Sequence, residues 1–226
     1  MKLMHIIATP RIADCCTLLA SSLIIDELAR QDPGLVVDEL DLFPSQSAHR
    51  PGNTADSRSP LVPAQSAEPE CDRSREHAES LITRFLAADR YLVTEPEWNL
   101  DVPHRLKCFL DVIIAPGRLF DYDERGRVVG LATNKKMIIC QSGGGNYVGT
   151  GPATQGYQEN YLRVIFGLAG ISDIGAIEAG AVGCTATQEL HTTTAEAAAY
   201  LLAGPSTIDV TDAIAKHSGA ASTTHP

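Results

Sequence analysis

A chain of 226 residues with 44% hydrophobic side chains can bury one large core, and no Gly/Ser linker splits it into comparable halves. One domain over residues 1–216 is therefore expected. A formal net charge of −10 and a pI near 5.1 argue against a nucleic-acid partner or an anionic membrane surface, since the only basic cluster is the pair Lys135-Lys136. No apolar run reaches membrane length, and the opening stretch Met1 to Ala8 is too short for a signal peptide, so a cytoplasmic protein is expected. The six cysteines, at 15, 16, 71, 108, 140 and 184, lack metal-ligand spacing and read as reduced thiols with no metal site.

Apolar runs with the character of buried parallel strands alternate with segments of helical period, the pattern of βαβ units with helices on both sheet faces. Strands are expected at Lys2 to Ala8, Leu35 to Asp41, Arg90 to Thr94, Lys136 to Gln141 and Ile171 to Glu178. The first helix is expected over Thr17 to Ala29, with Leu18, Leu19, Leu23, Ile24 and Leu28 as its buried stripe. Others are expected at Glu76 to Ala87, Val102 to Ile114, Gln155 to Leu168 and Thr193 to Ala203, the last stopped by Gly204-Pro205. Asp209 suits the cap of a short helix ending near Lys216, and residues 217–226 read as a disordered tail. Five strands suit an open flavodoxin-like sheet of order 2-1-3-4-5.

Two segments interrupt this pattern. Residues 43–75 are rich in Ser, Pro, Ala and Asp without a sustained period, which reads as an irregular arm: a lid, a dimer arm or a disordered stretch. Residues 116–130, with Phe120, Tyr122 and the turn residues Asp123 to Gly126, read as a hairpin inserted before the fourth strand of the sheet.

Ligands of open α/β sheets lie beyond the carboxyl ends of the strands. Three loops leave this sheet there. The first, Thr9-Pro10-Arg11-Ile12-Ala13-Asp14-Cys15-Cys16-Thr17, enters the first helix and presents hydroxyl, thiol and amide groups at a helix N-terminus, an anion-binding position. It lacks the glycines of a dinucleotide fingerprint or a P-loop. The second, Pro96-Glu97-Trp98-Asn99-Leu100, combines a turn, an aromatic ring and an amide. In the third, Ser142-Gly143-Gly144-Gly145, the glycines let backbone amides approach a flat ring, or else form a flexible turn.

These loops, with Val102-Pro103, Leu106-Lys107, Phe120-Asp121-Tyr122, Gly130-Leu131, Phe166-Gly167 and Gly170-Ile171, make the chain resemble the FMN-dependent NADH-azoreductases among the flavodoxin-like NAD(P)H:quinone reductases. The resemblance covers most of the chain. It implies that Thr9, Cys15, Cys16 and Thr17 hold the FMN phosphate, with Arg11 as a nearby charge and a thiol at position 15 where the family usually has serine. It implies that Pro96 to Leu100 lie along the isoalloxazine, with Glu97 and Trp98 where the family's usual Pro-Met-Tyr-Asn-Phe has methionine and tyrosine, and that Ser142 and Gly143 to Gly145 complete the flavin contacts. Glu97 reads either as a solvent-facing carboxylate or as a group that tunes the flavin or moves a proton; Tyr122 reads either as an aromatic over the flavin or as a plug in the hairpin.

The activity so implied is a two-electron ping-pong reduction, in which NADH or NADPH passes a hydride to FMN and the reduced cofactor passes electrons to an aromatic small molecule. Quinone, azo and nitroaromatic compounds are the expected acceptors, and a homodimer the expected assembly. The departures at positions 15 and 97 leave two alternatives: a biosynthetic flavoenzyme with one dedicated substrate, and a flavin-binding or interaction protein that has lost turnover.

Overall fold

Alternation of side chains along each strand decides the architecture, because both faces of every central strand are apolar and each must be covered. The computed structural model describes residues 1–10, 15–43, 69–98, 101–142, 157–179 and 188–204. Its elements are β1 (Lys2–Ile7), α1 (Cys16–Gln31), β2 (Val36–Asp41), α2 (Pro69–Leu86), β3 (Arg90–Pro96), α3 (His104–Ile113), β4 (Phe120–Tyr122), β5 (Val128–Gly130), β6 (Lys136–Ser142), α4 (Tyr157–Leu168), β7 (Asp173–Glu178) and α5 (Gln188–Leu202). Five strands form one parallel sheet in the order β2-β1-β3-β6-β7. This is the expected 2-1-3-4-5 arrangement, renumbered because the hairpin contributes β4 and β5.

On one face Met4, Ile6, Tyr91, Val93, Met137 and Ile139 pack against Ile82 and Phe85 of α2, Leu106 and Phe109 of α3, and Leu162 and Phe166 of α4. On the other, Leu3, Leu92, Ile138 and Cys140 pack against α1 and α5. Lys135 and Lys136 are structural. Lys135 donates to the Leu86 carbonyl at 3.0 Å and to the Ala88 carbonyl, closing the end of α2. Lys136 is buried, 3.3 Å from Asp173, with its ammonium 4.2 Å from the Tyr200 ring centroid.

Several boundaries differ from expectation. The buried stripe of α1 is Cys16, Thr17, Ala20, Ser21, Ile24 and Leu28. Ile24 and Leu28 are as expected, but Leu18, Leu19 and Leu23 are only partly buried, because the small side chains face the sheet and let the helix sit close to it. Helix α2 begins at Pro69, inside the stretch expected to be irregular. Helix α5 begins at Gln188, five residues before the expected Thr193. Of the remaining expectations, residues 44–68 of the arm, the short helix near 209–216 and the tail lie outside the described residues.

The hairpin is present, with Phe120 paired to Gly130 and Tyr122 to Val128. Its foot packs on the turn before β7: the Ala132 amide donates to Ala169 at 2.8 Å, and a Cβ on Gly130 would lie 2.2 Å from the Gly170 nitrogen. Gly170 itself has φ +101°, a conformation that favours glycine. Backbone meets backbone here, so no side chain can yield. Gly130→Ala is expected to lower the free energy of unfolding by about 2–3 kcal/mol, measured by urea denaturation.

Candidate functional site

The carboxyl edge of the sheet is built from the ends of β1, β3 and β6. Ala8, just past β1, donates its amide to the Thr94 carbonyl at 2.7 Å, and the Glu97 amide donates to the Ser142 carbonyl at 3.2 Å. The last register pair of β3 and β6 is Pro96 with Ser142. Parallel pairing therefore delivers the three expected loops to one edge. Arg11, Asn99, Leu100 and Gly143 to Gly145 lie outside the described residues.

At the end of β1 the structure brings together Thr9, Cys15 and Thr17. The Cys15 sulfur lies 3.6 Å from Thr9 Oγ1 and 3.2 Å from Thr17 Oγ1. Cys15 is the N-cap of α1 in extended geometry, and its side chain closes no regular capping hydrogen bond. Burial pushes its thiol pKa up. The Thr17 and Thr9 hydroxyls and the amides of Leu18 and Thr17 pull it down, and together they win. These donors favour negative charge, which is what an anion site at a helix N-terminus requires. Cys16, expected to share this site, instead packs its side chain into the core beside Ala20 and Ile24. Helical periodicity turns it a hundred degrees from Cys15.

Behind this pocket runs a buried polar chain. His5 Nε2 is 2.8 Å from Thr94 Oγ1, Ser21 Oγ is 2.5 Å from the same hydroxyl, and Ser21 donates to the Thr17 carbonyl at 2.6 Å. His5 is thus partnered within the core. The chain ties β1, β3 and the first turn of α1 together beneath the Thr9-Cys15-Thr17 cluster.

The second loop is closed by reciprocal backbone bonds, Trp98 to Asp101 and Asp101 to Trp98, both 3.1 Å. The Trp98 ring is 37% exposed, edge-on to Phe43 at 5.7 Å and stacked near His104 at 6.4 Å. Arg105 holds Phe43 from below, 4.9 Å from its ring centroid, and donates to the Leu42 carbonyl at 2.8 Å. Pro96 and Glu97 are partly buried at the edge.

Sequence reasoning missed three polar residues under this loop. Glu95, next to last in β3, is fully buried, and neither carboxyl oxygen has a hydrogen-bond partner among the described residues. Its register partner on β6 is Gln141, whose Oε1 is likewise buried and unpartnered. Gln158 of α4 covers both and donates from Nε2 to the Pro96 carbonyl at 3.2 Å. Burial, reinforced by the charges of Asp101 and Glu97, raises the Glu95 pKa to about 8. The available signal was an acidic residue directly before proline at the end of an apolar run.

Tyr122 is placed differently from the other expected residues. It is 58% exposed and edge-on to Phe120 at 5.8 Å, on a hairpin whose foot stands at the opposite end of the sheet from Pro96.

A family model described as a flavodoxin-like fold matches residues 1–201. The FMN-dependent NADH:quinone oxidoreductase of Laribacter hongkongensis is 34% identical over 184 residues, covering 80% of this chain and 89% of that protein. That of Albidiferax ferrireducens is 33% identical over 181 residues, covering 79% and 87%. Among solved structures, an FMN-dependent NADH-azoreductase from Bacillus anthracis in complex with FMN has the same fold, with a TM-score of 0.70 at 20% identity over 88% of this chain and 98% of that one. The chain belongs to the flavodoxin-like fold family and, within it, to the family of the FMN-dependent NADH:quinone oxidoreductases.

The hydrogen bonds assigned to Cys15 have a direct readout. Its carboxymethylation rate, followed by peptide mass spectrometry, is expected to rise with a midpoint below the ordinary thiol value, and Thr17→Val is expected to move that midpoint upward. Equal midpoints in the two proteins would reject the assignment.

Proposed function

We propose that the chain is an FMN-dependent NADH oxidoreductase that reduces quinone, azo or nitroaromatic acceptors by two electrons. The observation that carries this reading is the juxtaposition, at one sheet edge, of the Thr9-Cys15-Thr17 anion pocket and the Pro96 to Trp98 loop. A phosphate and a flat ring are thereby addressed by neighbouring loops. Thr9, Thr17 and the α1 amides would hold the phosphate, with Cys15 as a weaker donor than a hydroxyl and Arg11 as a further charge. Pro96, Glu97, Trp98, Asn99, Leu100, Ser142 and Gly143 to Gly145 would flank the ring. Bound there, FMN would supply the redox chemistry, a two-electron exchange between NADH and the acceptor.

The protein's own part is to bind, orient and supply protons. Glu97, at the mouth of the second loop, is the side chain we assign to proton exchange with solvent. Its charge at this position also favours the second reading, an enzyme with one dedicated acceptor selected by that carboxylate. We place the protein in the cytoplasm. In support, Cys15, Cys16, Cys108 and Cys140 are free thiols, and no helix among the described residues is long and apolar enough to cross a membrane.

We further propose a homodimer. Val128, Val129 and Leu131 of the hairpin region and Val164 of α4 are exposed, the last at 71%, and β5 and α4 are neighbours. An apolar patch of this kind favours a protein partner over water. A dimer would also give Tyr122 a flavin edge to reach, in the other subunit.

Purified protein is expected to carry flavin near one per chain by visible absorbance, and to oxidise NADH when menadione is added. A chain that takes up no added FMN would overturn the proposal. Sedimentation is expected to give a dimer that Val164→Glu combined with Val129→Glu converts to monomer; a wild-type monomer would reject the assembly.

A further inference from the structure

The buried group formed by Glu95, Gln141 and Gln158 is not needed for packing, and an apolar trio would fill the same space without orphaned polar atoms. Glu95 has no exposed surface, and its two carboxyl oxygens and the Gln141 Oε1 lack hydrogen-bond partners among the described residues. The Gln158 amide stands between two acceptors. It donates to the Pro96 carbonyl at 3.2 Å, and it lies near enough to the Glu95 carboxyl to favour the ionised form without closing a regular hydrogen bond to it. Pro96 opens the loop that carries Glu97 and Trp98.

We propose that Glu95 is a positioning residue for the flavin-facing loop. Protonated, it leaves Gln158 to hold the Pro96 carbonyl; on losing its proton it draws the Gln158 amide to the carboxylate and frees that carbonyl, loosening the entry to the loop. A carboxylate is a stronger acceptor than a peptide carbonyl, and a buried one is stronger still. Ionisation therefore changes which acceptor wins. The proton leaves to solvent and no electron moves. The inference rests on the flavin reading only for what the loop contacts.

The groups that face Glu95 set the direction of its titration. Asp101 and Glu97 on the loop disfavour the carboxylate, Gln158 on α4 favours it, and Gln141 on β6 contributes an unpartnered acceptor oxygen. Cys140 lies on the opposite sheet face, where burial pushes its thiol up to about 12. A folded pKa of about 8 means that the Pro96 carbonyl is held at neutral pH and freed as pH rises through that value.

Trp98 is the only tryptophan in the chain and sits two residues past Pro96, so its emission reports the loop. In the full-length protein freed of flavin, Trp98 emission is expected to change with a midpoint near 8, the Glu95 value. FMN affinity, measured by quenching of flavin fluorescence, is expected to weaken roughly fivefold to tenfold across the same interval, the scale of one hydrogen bond. Glu95→Gln, a neutral isostere, is expected to abolish both transitions and to keep FMN affinity at its neutral-pH value. A transition that persists in Glu95→Gln would overturn the proposal, as would pH-independent emission in the wild type. Should Glu95→Gln fail to fold, infrared spectroscopy of the wild type decides: a protonated-carboxyl carbonyl band lost with the same midpoint supports the inference, and its absence at neutral pH overturns it. A chain that binds no FMN at any pH would sink the flavin reading, while the Trp98 emission still decides the role of Glu95.

Discussion

The parallel register between β3 and β6 is the constraint on which the site depends. It runs from Arg90 with Lys136 to Pro96 with Ser142, and β1 joins the other edge of β3 from Leu3 with Arg90 to Ile7 with Thr94. A slip of one residue would turn every apolar side chain of β3 to the wrong face. Tyr91 would leave its stack on Phe85, and Glu95 would leave the α4 face. With the register fixed, the loops after β1, β3 and β6 leave the sheet at one end, and the hydrogen bond from Glu97 to Ser142 continues the ladder one step into the site. The Thr9-Cys15-Thr17 cluster and the aromatic loop therefore meet at one edge through strand pairing.

The two sheet faces carry different polar devices toward this edge. On the α1 and α5 face, His5, Thr94, Ser21 and the Thr17 carbonyl form a continuous chain of hydrogen bonds. Such a chain holds the first turn of α1, and with it the pocket around Cys15, at a set distance from the sheet. On the α2, α3 and α4 face, Glu95, Gln141 and Gln158 sit at the same height with atoms left unanswered. One face fixes the first turn of α1 around Cys15. The other sets the Gln158 amide against the first carbonyl of the aromatic loop.

Most of the fold was legible because buried parallel strands and amphipathic helices write distinct periods into the chain. The five main strands followed from runs such as Met137 to Cys140, while their order is that of the flavodoxin-like sheet which such a set of strands suits. The errors arose where periodicity gives no information. Leu18, Leu19 and Leu23 looked like the core stripe of α1 because they are large, yet Ala20 and Ser21 face the sheet because they are small. The start of α2 lies in a polar stretch whose helical period is weak before Ala78. In the site, residue type announced Thr9, Thr17 and Trp98, but the inward turn of Cys16 follows from a helix phase that only the structure fixes. Glu95 escaped notice because the strand was ended at Thr94: a charged residue before proline reads as the start of a loop, and here the strand runs two residues further.

Glu95 also carries a thermodynamic argument that packing cannot supply. Its folded pKa lies above the ordinary carboxylate range, so between that range and about 8 the folded chain binds a proton that the unfolded chain has released. The unfolded state then binds fewer protons than the folded one, and stability falls as pH rises through this interval, by about 1.4 kcal/mol per unit at full difference. A leucine at this position would escape that loss and fill the same volume. The residue thus works against the stability of the fold between the ordinary carboxylate range and about pH 8, and it stands one position before the loop proposed to flank the flavin. A destabilising group at that place is accounted for by what it does to the loop, through Gln158 and the Pro96 carbonyl, rather than by what it does for the core.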